Sequence, residues 1–104
     1  MDALIAVMNQ VFEISRKLEE EHLSSRFERN FNKLNNIFEE EGFICNNPLG
    51  EKYTDARTDC TASIAGAEGR DMVITQVIKP VIYQKKDGAL SLVQKGIVIV
   101  ERKK

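Results

Sequence analysis

Tryptophan is absent from these 104 residues, histidine occurs once and cysteine twice. The single histidine, His22, excludes a His–His metal pair and leaves no spare base for a serine or cysteine triad. Cys45 and Cys60 lack Cys-x-x-Cys spacing, so neither a disulfide framework nor a zinc or redox site is expected, and a reduced compartment is the default. Charge of one sign is missing too: 15 Lys+Arg stand against 16 Asp+Glu. That balance argues against a protein devoted to nucleic acid or anionic lipid, which needs a basic excess. No run approaches the roughly 18 apolar residues of a spanning helix. The start, Met1-Asp2-Ala3-Leu4, carries no basic signal-peptide region. A small cytoplasmic domain without a membrane segment is therefore expected.

Glycine is missing from the first 41 residues; all six lie from Gly42 onward. Charge divides as well, with net −4 over residues 1–50 and net +3 over residues 51–104. The order reads as α+β: two N-terminal helices (1–42), then a compact all-β domain (43–104) of five to six short strands in a small barrel or sandwich.

The first helix is expected from about Asp2 to Glu20. Ala3, Leu4, Val7, Met8, Val11, Phe12, Ile14 and Leu18 cover an arc of roughly 200° at about 100° per residue. So wide an arc wants two neighbours. With one other helix in the chain, the missing surface is expected from a second copy, a homodimer approximating a four-helix bundle. The apolar phase breaks across Glu19–His22. Ser25-Arg26-Phe27-Glu28 reads as a capping box for the second helix. Phe27, Phe31, Leu34 and Phe38 then form a one-sided seam. Gly42 ends this helix, and Phe43 folds back on Phe38. The expected dimer interface is Leu4, Met8, Val11 and Phe12 with Phe27, Phe31 and Leu34.

In the second half, Asn47-Pro48-Leu49-Gly50 is a turn. Thr58, Cys60, Ala62 and Ile64 alternate with polar residues as in a half-buried strand. Gly66 to Gly69 is a loop. Strands follow at Met72–Ile78, Val81–Tyr83, Leu90–Val93 and Ile97–Glu101, with Asp87-Gly88 as a hairpin signal.

Chemistry-bearing clusters are few. Glu19–Glu21 and Glu39–Glu41 are solvated runs without an apolar pocket to raise a pKa. Gly66-Ala67-Glu68-Gly69 lacks the close of a phosphate-binding loop. No catalytic residue, metal site or cofactor is expected; the chain reads as a binding protein. Lys79, Lys85, Lys86, Lys95 and Arg102–Lys104 near Tyr83 would suit a nucleic-acid-binding barrel. The aromatics do not interleave with them at strand spacing, and Arg102–Lys104 reads as a frayed end, so no nucleic-acid partner is expected.

Phe38-Glu39-Glu40-Glu41-Gly42-Phe43, then Asn47-Pro48-Leu49-Gly50-Glu51-Lys52-Tyr53, then the segment Met72–Val100, resemble the GrpE nucleotide exchange factors, dimeric partners of DnaK-type chaperones. The resemblance spans nearly the whole chain. It implies a homodimer that binds a chaperone ATPase domain through Val77, Lys79 and the hairpin Lys85, Lys86, Asp87, Gly88 and Ala89. Departures fall on the exchange surface. Thr58-Asp59-Cys60 replaces the family's His-Glu-Ala, and Lys79-Pro80-Val81 its Lys-Gly-Tyr. Gln94-Lys95-Gly96 replaces Arg-Pro-Ala, and Ala89 stands where an arginine is common. The family's long stalk helix has no counterpart here. A GrpE-like dimerisation or adaptor module without exchange activity is the alternative.

Overall fold

The computed structural model describes residues 2–66, 69 and 71–102. It is α+β: helices α1 (Asp2–Glu20) and α2 (Glu28–Glu40) precede seven strands. These are β1 (Phe43–Asn46), β2 (Lys52–Tyr53), β3 (Cys60–Ile64), β4 (Met72–Lys79), β5 (Val81–Lys86), β6 (Ala89–Gln94) and β7 (Gly96–Arg102). The count exceeds the expected five to six because β1 and the two-residue β2 carry no alternation long enough to read. Ala67 and Glu68 of the expected loop, and Lys103 and Lys104 of the expected frayed end, lie outside the described residues.

Helix α1 stops where the apolar phase breaks. His22 takes a left-handed φ of 59°. Its N–H donates to the Glu19 carbonyl (3.0 Å), and Leu23 N–H reaches the Leu18 carbonyl (2.8 Å). This double closure is a Schellman motif with histidine in glycine's usual place. The capping box does not form. Ser25 lies inside a 3₁₀ turn over Ser24–Arg26, and Phe27 occupies the cap of α2 with no side-chain hydrogen bond. The tight turn displaces the helix start past the serine, so its hydroxyl no longer addresses the free N–H groups of α2. At the other end Gly42 (φ 89°) closes α2, its N–H donating to Glu39 O at 2.9 Å. Phe43 does join Phe38 in one buried cluster, but as the first residue of a strand.

The β half is a long hairpin bent in the middle. Its arms are β4–β5 and β6–β7, interrupted by the single residues Pro80 and Lys95. Pro80 has no N–H to give a ladder, and its buried carbonyl accepts instead from Gln94 Nε2 at 2.9 Å. Beyond the bend, β1-β5-β6 form one sheet; before it, β2-β4-β7-β3 form another. Both sheets keep free edges among the described residues, so no barrel closes. In the second sheet β3 runs parallel to β7, from Cys60 beside Gly96 to Ile64 beside Val100. Gly96 permits the tight bend: a Cβ there would lie 2.9 Å from Val81 Cγ2 and 3.2 Å from Cys60 Sγ.

Two buried clusters meet at β5. Val81 faces Cys60, Met72, Ile74, Val77, Val98 and Val100. Its neighbour Ile82, on the opposite side as strand alternation requires, packs with Met8, Phe38 and Phe43. The second cluster draws on both sides of residue 42, so helices and strands share a core. Two polar contacts fix α1 over the bend. Asn9 and Gln94 exchange amide hydrogen bonds at 2.8 Å each way, and Arg16 Nη1 donates to Val77 O at 2.7 Å. Among the described residues no helix is long and apolar enough to cross a membrane.

Candidate functional site on the β hairpin

The expected contact residues fall in three places. Lys85, Lys86, Asp87, Gly88 and Ala89 are all exposed at the tip of the β5–β6 hairpin. Lys86 pairs with Ala89 around a two-residue turn in which Asp87 (φ 54°) and Gly88 (φ 80°) are both left-handed. That is a type I′ turn, whose twist matches its strands and makes the tip rigid. Lys85 N–H donates to Gly42 O at 2.7 Å, anchoring the tip to the end of α2.

Lys79 is exposed at the end of β4, in register with Ile97 of β7, and Pro80 separates it from β5. At about 3.3 Å per residue the β5 segment from Val81 to Lys85 alone spans roughly 13 Å, which sets Lys79 and Lys85 at opposite ends of that strand. The two lysines belong to different surfaces. Val77 is the clear correction: only 3% exposed, its side chain belongs to the core, and only its carbonyl reaches outward, to Arg16. Alternation turns Val77 inward opposite Val98, and a register shift between Val77 and Lys79 leaves Ile78 outside, 44% exposed.

Sequence reasoning missed the apolar residues beside these lysines. Leu90, Leu92 and Val93 on β6 are exposed, as are Ile78 and Ile97 beside Lys79. Leu90 and Leu92 repeat at period two, which reads as a buried face. The available warning was that a core strand here would need a further layer, and no helix or strand remained to supply it.

The expected dimer interface is also largely taken up inside the chain. Met8 is 1% exposed, and Leu4, Val11 and Leu34 pack against its cluster. Phe12 packs against the cluster of the four-stranded sheet, and Phe31 is half-buried. Phe27 alone of the seven is exposed. Strands, not a second helix pair, cover most of α1's wide arc. The apolar residues left outside are Val7, Ile14, Leu23, Phe27 and Ile37.

His22 and both glutamate runs are exposed. Burial pushes the Cys45 thiol up to about 11 and raises Cys60 as well, so both are protonated at neutral pH. Among the described residues no three His, Cys, Asp or Glu are placed to hold a metal ion. The densest ionic group is Arg57, whose Nε donates to Asp59 Oδ1 (2.6 Å), Nη2 to Glu51 Oε1 (2.7 Å) and Nη1 to Lys52 O (3.1 Å). It ties the β2 region to the start of β3.

The Arg57 hydrogen bonds hold the Asp59 carboxyl below its ordinary range. A depressed folded-state pKa stabilises the fold above the unfolded value near ~4, and that stability is lost as pH falls through the folded value. Asp59→Asn is therefore expected to cost about 1–2 kcal/mol at neutral pH. The gap from the parent chain should close in acid. Urea midpoints at neutral pH and below about pH 3 check this; an unchanged gap would mean that the charge is not the cause.

Compared with family models, curated proteins and solved structures, the chain matches none.

Proposed function

We propose that the chain is a GrpE-like co-chaperone: a cytoplasmic homodimer that binds the ATPase domain of a DnaK-type chaperone and promotes nucleotide release. Such a role asks no bond chemistry of the chain, only higher affinity for the open nucleotide cleft than for the closed one. The β5–β6 hairpin carries the reading. Its rigid turn presents two lysines beside an exposed apolar strand, anchored to the end of α2 by the Lys85–Gly42 hydrogen bond. Lys79 with Ile78 and Ile97 offers a second, separate patch at the bend. Val7, Ile14, Leu23, Phe27 and Ile37 leave the helical layer with apolar surface for a second copy.

One observation favours the adaptor reading. Ala89, at the position where the related factors carry an arginine, offers only a methyl group to a partner at the tip. A dimeric module that keeps the scaffold and has lost exchange activity would look the same.

Release of labelled ADP from a DnaK-type chaperone separates the two. The co-chaperone reading expects measurable acceleration by the parent chain. Lys85→Glu with Lys86→Glu should weaken binding by about 1–3 kcal/mol, roughly 5- to 150-fold, in a salt-dependent way. Ala89→Arg should raise activity. A baseline of zero that Ala89→Arg leaves at zero would reject exchange and leave the adaptor.

A further inference from the structure

Between α1, β4 and the turn that carries Asn47 and Leu49 lies an open cleft of about 360 Å³. That volume falls at the small end of the range for ligand sites, roughly 300–1,000 Å³. Phe12, Leu49 and Val77 give the cleft apolar walls, with Leu49 49% exposed. It shares no residue with the hairpin tip.

Arg16 lines this cleft, and its bonding is incomplete. Nη1 donates to the Val77 carbonyl at 2.7 Å, but Nε is buried without a hydrogen-bond partner. A buried donor left unpaired is costly. Among the described residues Arg16 has no ion-pair partner, although Glu19 and Glu20 follow it on the same helix. In a guanidinium, Nε and Nη2 point to one side as a fork that matches the two oxygens of a carboxylate. With Nη1 held by Val77, that fork is the free edge. Asn47 adds a donor: its Oδ1 already accepts from Leu49 N–H at 3.1 Å, so its amide meets a ligand through Nδ2. Glu19 and Glu20 also line the cleft, and both are exposed, which places two carboxylates at its mouth. The last turn of α1, where they sit, is the negative end of the helix dipole.

We propose that this cleft binds a small zwitterion with an apolar body, of the class of free apolar α-amino acids. The carboxylate takes the Nε–Nη2 edge of Arg16, the body lies against Phe12, Leu49 and Val77, and the ammonium faces Glu19 and Glu20. A plain carboxylic acid would answer Arg16 but meet two like charges at the mouth. A plain amine would leave Nε unpaired. A ligand carrying both charges satisfies the whole cleft. The site stands independently of the co-chaperone reading.

Titration of the isotope-labelled full chain, followed by NMR, tests this with L-phenylalanine, L-leucine and L-methionine, each to about 10 mM. At least one should bind saturably and shift the amides of Arg16, Asn47 and Gln76. The N-acetyl and carboxamide forms of that ligand should each bind about tenfold weaker or worse. Glu19→Gln with Glu20→Gln, both at exposed sites, should weaken the amino acid about fivefold and leave its N-acetyl form unchanged or tighter. Arg16→Lys keeps a donor for Val77 but loses the fork, and should weaken both acids about tenfold or more. Its urea midpoint shows whether the fold is kept, and the glutamine pair tests the site if it is not. No saturable binding by any of the three, shifts confined to other parts of the molecule, a carboxamide as tight as the acid, or glutamines without effect would overturn the proposal. An arginine that only pins α1 to β4 gives the first of these.

Discussion

Ile82→Ala is expected to lower the free energy of unfolding by about 3–4 kcal/mol, a large share of the ~5–15 kcal/mol that holds a domain together. Ile82 is 0% exposed and packs with Met8 from α1, Phe38 from α2 and Phe43 from β1. Truncation there leaves a cavity walled by three other elements, none of which can close it without leaving other contacts. Ile97→Ala, at a site 38% exposed, should cost under about 1 kcal/mol. Urea unfolding followed by helical circular dichroism and by tyrosine fluorescence checks both the size and the cause. The tyrosines, Tyr53 and Tyr83, border the strand-side cluster and so report on the β half alone. Because β5 joins the two clusters, helix and tyrosine signals should be lost together in the parent chain. Two separated transitions would show that residues 1–42 and 43–104 are independent units and that Ile82 does not couple them.

What could be read in advance follows the range of each interaction. The extents of α1 and the later strands came from hydrophobic period, and the Asp87-Gly88 turn from a backbone conformation few other residues adopt. These are local properties, and the structure keeps them. The capping box is local too, yet the 3₁₀ turn over Ser24–Arg26 moved the start of α2 past Ser25, so the serine no longer stands at its cap. Burial at Val77, the parallel β3–β7 pair and the joining of two sheets at Pro80 depend on residues far apart in the chain. No window of neighbouring residues contains them. The candidate site was legible to the same degree: the hairpin tip is a turn and was found, whereas the distance from Lys79 to Lys85 is a property of the fold. The roughly 200° arc of α1 was read correctly as needing cover. It did not say that strands would provide most of it.

That difference decides where the proposed dimer should be broken. At about 100° per residue, Val7 and Ile14 lie roughly 100° and 120° around α1 from the buried Met8, on a flank the chain does not cover. They are 49% and 51% exposed, whereas Met8 is 1% exposed. Val7→Glu with Ile14→Glu should therefore dissociate a helix-mediated dimer, raising its Kd by about a hundredfold or more, as two charges in an apolar seam would. The folded monomer should remain, since neither side chain supports its core. Phe12→Glu should behave otherwise. Phe12 packs against the strand-side cluster, so a carboxylate there lowers monomer stability whatever the oligomeric state. Light scattering with urea denaturation on the same samples separates the two effects. A parent chain that scatters as a monomer at micromolar concentration would dismiss the helical dimer outright. A parent dimer left intact by the glutamates at 7 and 14 would move the interface away from this flank.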